Sequence, residues 1–176
     1  MAGHNKFSKI KHQKAKNDGQ KSKVFGKLVR FITVEAKKAG GNLKSPGLAL
    51  AIEKAKKENM PNDTIDRAIK KATTDNSAAM ENITYESYGP GGVAILIEAL
   101  TDNRNKAAQE VKAILVKHGF ELASPGSASW AFTKGPEGLV PNMTMPLEDA
   151  DIEKLHALVE ALEENDEVQE VFTNAE

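Results

Sequence analysis

The pattern of the apolar residues changes near the middle of this 176-residue chain, and that change constrains the fold more than any other feature. As far as Ala72 they recur at helical intervals, whereas from Ile83 onward strand-like segments are combined with further helical ones. Residues 73–82, between the two patterns, are mostly polar or small and are typical of a linker. The sequence therefore predicts an α+β protein, with a helical bundle and N-terminal arm over residues 1–75 and an α+β domain over residues 76–176.

Three helices are predicted in the first part, after a basic arm over residues 1–19. They run from residue 20 to 39, from the Ser45-Pro46 pair to residue 59, and from the Pro61-Asn62-Asp63 stretch to residue 72. The Gly40-Gly41 pair is a strong stop signal for the first helix. Because each helix carries one apolar stripe, the three are expected to bury these stripes against one another as a three-helix basic bundle.

The second part predicts a mixed or antiparallel sheet with two helices on one face. The predicted strands cover residues 83–88, 93–100, 128–132 and 168–173, with a further short strand near 143–145. One predicted helix begins at a cap at residues 101–103 and ends at Gly119, and the other covers residues 149–164. Residues 133–142 are predicted to form a loop. The Gly-Pro-Gly-Gly stretch at 89–92 could expose N–H groups to a phosphate, but it precedes a strand rather than a helix, which favours a hairpin turn.

Charge is segregated along the chain. Residues 1–72 hold 18 lysines and arginines against six acidic residues, a net charge of +12. Residues 73–176 hold six basic and 19 acidic residues, a net charge of −13. This asymmetry indicates that the basic part meets a polyanion. The acidic residues of the C-terminal helix are spread out, which is typical of a solvated face and not of a metal or catalytic cluster; an alternative is that this acidic domain shields the basic one or repels nucleic acid.

One side of the predicted first helix is cationic. At about 100° per residue, one side collects the apolar residues Phe25, Leu28, Val29, Ile32, Ala36 and Ala39. The opposite side, within about 60° of Lys23, collects Lys16, Lys23, Lys27, Arg30, Lys37 and Lys38. A solvated lysine face would account for a single stripe, but a lysine-rich arm precedes this one and only Glu35 interrupts the charge nearby. We expect a nucleic-acid surface, because closely spaced lysines repel one another unless an anion neutralises them.

The predicted contact set joins this face to the arm. It comprises Lys6, Phe7, Lys9, Lys11, His12, Lys14, Lys16, Lys23, Lys27, Arg30, Lys37 and Lys38. Phe7 can stack on an unpaired base or pack into the core of its own domain, and the sequence is consistent with both roles. Only Arg30 and Arg67 carry a guanidinium fork in this part, which favours recognition of backbone and shape over a strict sequence code. A two-histidine hydrolase using His4 and His12 is a further hypothesis that nothing else in the sequence supports.

Composition argues against several other classes. The chain has no cysteine, hence no disulfide framework and no thiolate metal site, and no apolar run reaches the length of a membrane span. Its start is basic but lacks the apolar segment of a secretory signal. His118 and His156 lack ligand spacing, and no Ser-His-Asp or Cys-His arrangement is present. We expect a cytoplasmic protein that is not an enzyme, with no cofactor, no metal, no small-molecule substrate and no membrane partner.

Several separate stretches resemble the YebC family. They are residues 2–7 (Ala-Gly-His-Asn-Lys-Phe) with 10–12 (Ile-Lys-His), 51–61, 85–93 with the Gly-Pro-Gly-Gly turn, 100–105 (Leu-Thr-Asp-Asn-Arg-Asn), 124–132 and 168–176. The family includes PmpR-type regulators and mitochondrial translational activators of cytochrome c oxidase. The resemblance implies a DNA-binding transcriptional regulator or, as an alternative, a ribosome-associated factor that contacts ribosomal RNA and helps translation of stretches such as proline runs.

Two departures from that family accompany the resemblance. Members usually carry a third domain after the strand ending near Phe132, and residues 133–142 are too few to form one, so the third domain is predicted to be absent. Phe7 stands where tryptophan is common, which weakens a stacking platform.

The net charge of −13 on residues 73–176 also motivates a second alternative function, a protein-interaction adaptor that binds a basic partner.

Overall fold

The computed structural model describes residues 18–76, 79–136 and 138–176, and for residues 18–20 it describes the backbone only. The described residues divide into two compact units, which we call the helical unit (described residues between 18 and 80) and the sheet unit (described residues between 81 and 176). The helices and the mainly antiparallel sheet confirm the predicted α+β class, in which a helical region precedes a sheet domain.

The helical unit contains three helices joined by glycine and proline signals. They are α1 (Asp18–Lys38), α2 (Pro46–Lys57) and α3 (Asn62–Thr74). At the end of α1, Gly40 and Gly41 have φ values of +57° and +82°, and the Gly41 N–H donates to the Ala36 carbonyl at 2.9 Å. Glycine adopts this left-handed conformation without steric cost, so the predicted stop is confirmed. Pro46 occupies the first turn of α2, where its missing N–H costs nothing.

The core of the helical unit is built from the predicted apolar stripes. Ile32 and Ala36 of α1 are fully buried, and Phe25, Leu28 and Val29 are partly buried against the same cluster. The other helices and their connections complete the core with Leu48, Ala51, Ala55, Met60, Ile65, Ala68 and Ala72. Burial of this stripe directs the opposite, cationic side of α1 away from the core of the bundle.

The sheet unit is built on one four-stranded antiparallel sheet. Its elements are β1 (Glu81–Tyr88), β2 (Ala94–Thr101), α4 (Arg104–Lys117), β3 (Leu122–Ala123), β4 (Phe132–Gly135), β5 (Gly138–Pro141), α5 (Asp149–Glu164) and β6 (Val168–Thr173). The strand order is β3-β1-β2-β6, while β4 and β5 form a separate two-stranded hairpin. Residues 89–92 join β1 to β2, in register from Glu81–Thr101 to Tyr88–Ala94, so the hairpin-turn prediction is confirmed.

The two faces of this sheet are covered differently. On one face Val93, Ile95 and Ile97 pack against α4 and α5, which contribute Val111, Leu115, Leu155, Leu158 and Leu162. On the other face Ala94 and Leu96 pack against Ala131 and Phe132. Two helices therefore lie on one face, as predicted, and the segment around the β4–β5 hairpin covers the other.

The predicted strand over residues 128–132 is wrong. Residues Ser129–Ala131 form a single 3-10 turn, and β4 begins only at Phe132. The reason is that the Ala128 N–H donates to the Glu86 Oε2 carboxylate oxygen at 3.0 Å instead of joining a strand ladder. A distant carboxylate therefore takes up the backbone donor that a strand would have used.

The loop predicted over residues 133–142 is also wrong, because most of it forms the β4–β5 hairpin. The short strand predicted near 143–145 is reduced to an isolated parallel bridge between Met145 and Ala175. The strand β3 (Leu122–Ala123) has no counterpart among the predicted strands, because two residues are too few to show an alternating pattern. The other helices and strands of the sheet unit lie within about two residues of their predicted bounds, the usual uncertainty of element ends.

Candidate nucleic-acid interface

The structure places five of the predicted contact residues on one side of α1. We call this side the cationic sector and define it by Lys23, Lys27, Arg30, Lys37 and Lys38. The other predicted contact residues lie outside the described part of the chain, namely Lys6, Phe7, Lys9, Lys11, His12, Lys14 and Lys16, as does His4. The sector therefore carries the whole structural argument for an interface.

The cationic sector is exposed at its ends and partly covered in the middle. Lys23, Lys37 and Lys38 are exposed, whereas Lys27 and Arg30 are half-buried. Val34 lies in the same angular range and is only 6% exposed. Its position follows from its spacing of eleven residues from Lys23, which on a helix of 3.6 residues per turn returns to the same direction. The sequence interpretation missed this residue because it followed only the charged members of the sector.

The cations of this sector take part in contacts within the protein. Lys38 Nζ forms an ion pair with Glu35 Oε1 at 3.1 Å. Lys23, Lys27, Arg30 and Lys37 also make polar or electrostatic contacts. Pairing among residues 18–76 leaves a positive surplus, because this stretch holds 13 basic residues against seven acidic ones. A surplus of this sign is the feature that would attract a polyanion.

Lysines of the other helices extend the positive charge. Lys54 Nζ lies 5.8 Å from the centre of the Phe31 ring, which brings a cation of α2 next to α1. Lys57 forms an exposed ion pair with Glu53 at 3.3 Å, which is worth little in water. Lys70 and Lys71 are exposed on α3. Cations from all three helices are thus presented by the helical unit.

The helical unit has few arginines among its described residues. Arg67 Nε donates to the Asp63 carbonyl one turn earlier at 3.2 Å, so part of its guanidinium is used by its own helix. Bidentate recognition of a guanine edge requires a free fork of two donors. In the described part of the helical unit, Arg30 is the other arginine. The arrangement suits phosphate contacts, which position a nucleic acid without reading its sequence.

The turn at residues 89–92 uses its own donors. The Gly89 N–H donates to the Val93 carbonyl at 2.8 Å, and the Gly92 N–H donates to the Gly89 carbonyl at 3.0 Å. Gly91 and Gly92 have φ values of +67° and +81°, which explains the glycines by turn geometry. This turn therefore serves the hairpin.

The histidines of the sheet unit have structural partners. His118 Nδ1 lies 2.9 Å from the Ile114 carbonyl, and His156 Nδ1 lies 3.9 Å from Glu160 Oε2. Within the described ranges, no group of three or more metal-ligating side chains is close enough to hold an ion. Arg104, which opposes the helix dipole in the first turn of α4, forms an ion pair with Glu81 at 3.5 Å. These groups are accounted for by the fold.

Among the described residues of the sheet unit, Tyr85, Lys106 and Glu86 have shifted pKa values with clear causes. Burial raises the pKa of Tyr85, with Arg104 opposing the rise and Glu167 adding to it. A hydrogen bond to the Glu167 carboxylate at 3.3 Å, together with its charge, raises the pKa of Lys106. Burial would raise the pKa of Glu86, but backbone N–H groups led by that of Ala128 outweigh it, so the pKa is lowered. Each shift arises from packing within the sheet unit.

No helix among the described residues is long and apolar enough to cross a membrane.

Comparison with known proteins assigns nearly the whole chain. The family described as "TACO1/YebC protein N-terminal domain" matches residues 5–75, and that described as "TACO1/YebC second and third domain" matches residues 80–136 and 137–175. The two pieces of the second match meet at the tip of the β4–β5 hairpin.

Individual relatives give the same result. A "Probable transcriptional regulatory protein" of Fervidobacterium nodosum is 37% identical over 235 residues, covering 99% of this chain and 93% of the relative. One of Petrotoga mobilis is 45% identical over 184 residues, covering all of this chain and 71% of the relative. The crystal structure of a conserved hypothetical protein, Aq1575 from Aquifex aeolicus, superposes with a TM-score of 0.79 at 31% identity, covering 92% of this chain and 93% of that one. The resemblance noted in the sequence is thereby confirmed, and the chain belongs to the TACO1/YebC family.

Proposed function

We propose that this protein is a regulator of gene expression that binds nucleic acid through the cationic sector of α1. The observation that carries the proposal is the positive surplus of the helical unit, 13 basic against seven acidic residues over 18–76, with exposed cations on one side of its first helix. The names of the relatives, probable transcriptional regulatory proteins, support a regulatory role and argue for a protein that is not an enzyme. We place its action in the cytoplasm.

Phosphate contacts supply the binding energy in this proposal. Each lysine or arginine that neutralises a phosphate releases condensed counterions, so affinity falls as salt rises. Six such contacts would reduce affinity on the order of a thousandfold between 50 and 200 mM salt. The basic arm residues Lys6, Lys9, Lys11, Lys14 and Lys16, with Phe7 and His12, would continue the contact surface along the strand.

Duplex DNA is the proposed target, because the relatives are named as probable regulators of transcription. Ribosomal RNA is the second candidate, and one observation favours it: the described part of the helical unit has two arginines, Arg30 and Arg67, so few guanidinium groups could read base edges in a major groove. Recognition by shape and backbone is common for structured RNA. Crosslinking in cells, followed by sequencing of the bound nucleic acid, decides between genomic DNA and ribosomal RNA.

The remaining part of the protein has a proposed role of its own. The domain over residues 76–176 is acidic, so it repels phosphates and confines nucleic acid to the helical unit. The relative of 37% identity aligns over more residues than this chain possesses, so it contains segments that this chain lacks. We propose that the missing segment is the family's third domain and that residues 133–142, as the β4–β5 hairpin, close the gap.

Charge reversal tests the proposal. Replacing Lys23, Lys27 and Arg30 with glutamate is expected to reduce affinity for a DNA duplex and an RNA hairpin by at least a hundredfold, because three attractive contacts become repulsive. The matched control replaces three exposed lysines of the sheet unit, Lys112, Lys117 and Lys154, with glutamate, so that both triple variants have the same net charge. Equal losses in both triple variants would indicate non-specific attraction, and unchanged affinity in the first would exclude this surface.

A further inference from the structure

Gly26 lies in the middle of α1, where the described part of the fold does not require a glycine. It belongs to the helix and is absent from the glycines with positive φ. Outside its own turn of the helix, a Cβ atom built on Gly26 would meet no heavy atom of the described residues within 4 Å. Neither backbone conformation nor close packing against the described residues therefore explains this glycine.

Glycine is unfavourable at such a position. In a helix interior it loses more conformational freedom on folding than alanine and is a poor helix former. Where nothing inside the protein needs the missing side chain, the remaining physical use of glycine is to let another molecule approach the backbone closely. The exposure of Gly26 permits such an approach.

The neighbours of Gly26 indicate what that molecule is. Lys23 precedes it by three residues and Arg30 follows it by four, so both are its surface neighbours on the helix, and Lys27 is adjacent in sequence. Gly26 therefore leaves a patch of helix backbone without a side chain, and the neighbouring positions carry cationic side chains. The chemistry that suits a bare helix backbone rimmed by cations is a chain of phosphodiester groups.

We propose that Gly26 marks the point of closest approach between α1 and the sugar–phosphate backbone of a nucleic acid. The inference rests on the proposed function and adds to it a positioning residue that carries no charge. Because no side chain is present here, the nucleic-acid strand comes nearer to α1 by roughly the radius of a methyl group. This shortens the contacts of its phosphates with Lys23 and Arg30. DNA and RNA share this backbone chemistry.

Two substitutions separate this role from a structural one. Gly26→Ala and Gly26→Leu both introduce better helix formers into open space, so each is expected to raise the melting temperature by about 2–5 °C. Affinity for a mixed-sequence DNA duplex and for an RNA hairpin, measured in parallel, is expected to fall. We expect a loss of about fivefold for alanine and more than about twentyfold for leucine, because the added atoms displace the strand.

The matched control is Ala49→Leu, which adds bulk to an exposed position of α2 in the same unit. It should leave affinity for both probes within about twofold of the parent value. Stabilised Gly26 variants that bind as tightly as the parent would overturn the proposal, and so would a fall in melting temperature, since the fold itself would then require glycine.

The charge-reversal variant separates this proposal from the proposed function. If the reversal of Lys23, Lys27 and Arg30 still abolishes binding, the proposed function survives failure of the Gly26 proposal. If that reversal also has no effect, the proposed function fails with it. A loss confined to one probe supports the proposal and identifies the nucleic acid.

Discussion

The carboxylate of Glu35 lies against Gly47, so close that a Cβ atom on Gly47 would clash with Glu35 Oε2. Gly47 is in the first turn of α2, where Ser45 makes no side-chain capping bond and no acidic residue is present. Glu35 therefore supplies, from α1, the negative charge that stabilises the positive end of α2. Its side chain is only 14% exposed and also pairs with Lys38 at 3.1 Å. The acid that interrupts the cationic sequence is thus directed into the bundle.

Substitution of Gly47 should reveal this relationship through Glu35. Gly47→Ala alone is expected to change the stability of the helical unit by less than about 0.5 kcal/mol, because losing the Glu35 charge from the start of α2 offsets the better helix propensity of alanine. In a Glu35→Ala background the same substitution should stabilise by about 0.5–1 kcal/mol, as alanine is the better helix former. Urea unfolding followed by circular dichroism of all four proteins measures the coupling. Additive effects would contradict a contact between these two residues.

Glu86 should make the sheet unit sensitive to acid. This carboxylate is 7% exposed and accepts a hydrogen bond from the Ala128 N–H at 3.0 Å. Its folded pKa lies below the ordinary value of 4.5, so its stabilising contribution is present above pH 4.5 and is lost as the pH falls through the folded pKa. Glu86→Gln is expected to cost about 1–3 kcal/mol at pH 7, because backbone donors lose a charged acceptor.

The fluorescence of Trp130, the single tryptophan, reports this change. The Trp130 indole N–H donates to the Ser127 carbonyl at 2.8 Å, within the segment that Glu86 holds. Urea unfolding curves of the parent and of Glu86→Gln should converge as the pH falls below 4.5, since the parent then loses the charge too. A stability difference that stays constant with pH would contradict the role assigned to Glu86.

Asn103 should stabilise the start of α4. Its side-chain oxygen accepts a hydrogen bond from the Lys106 N–H at 3.1 Å, as a capping residue does. Asn103→Ala is expected to cost about 1 kcal/mol, whereas Asn103→Asp should keep most of the stability because aspartate caps equally well. Asn105→Ala, at an exposed site in the same turn, is the control and should change stability by less than about 0.5 kcal/mol. Thermal unfolding that ranks Asn103→Ala with the control would exclude the cap.

Local signals were sufficient for much of the fold. The helix at residues 149–164 was predicted with the bounds it has, because its apolar stripe is regular over four turns. The end of α1 followed from Gly40 and Gly41 alone. Residues 128–131 were mispredicted because Glu86, more than 40 residues away, takes up the donor of Ala128. The β4–β5 hairpin is not predicted because Gly135 and Gly138, which lie near its tip, are as typical of an irregular loop as of a hairpin.

The candidate site divides in the same way. Angular spacing along one helix is enough to group Lys23, Lys27 and Arg30 on one side of α1. It cannot show that Glu35 turns towards α2, because that depends on how two helices pack. The burial of Val34 within the cationic sector was equally hidden, since periodicity gives direction but not coverage. The assignment of the contact residues themselves stays a prediction.

The dependence of nucleic-acid affinity on salt tests the central claim most directly. For a DNA duplex, six phosphate contacts predict a slope of about −5 when the logarithm of the binding constant is plotted against that of the salt concentration. The Lys23, Lys27 and Arg30 glutamate variant should have a slope shallower by about 3, whereas the Lys112, Lys117 and Lys154 control should keep the parent slope. A parent slope near zero, or equal slopes for the parent and the α1 variant, would contradict the account.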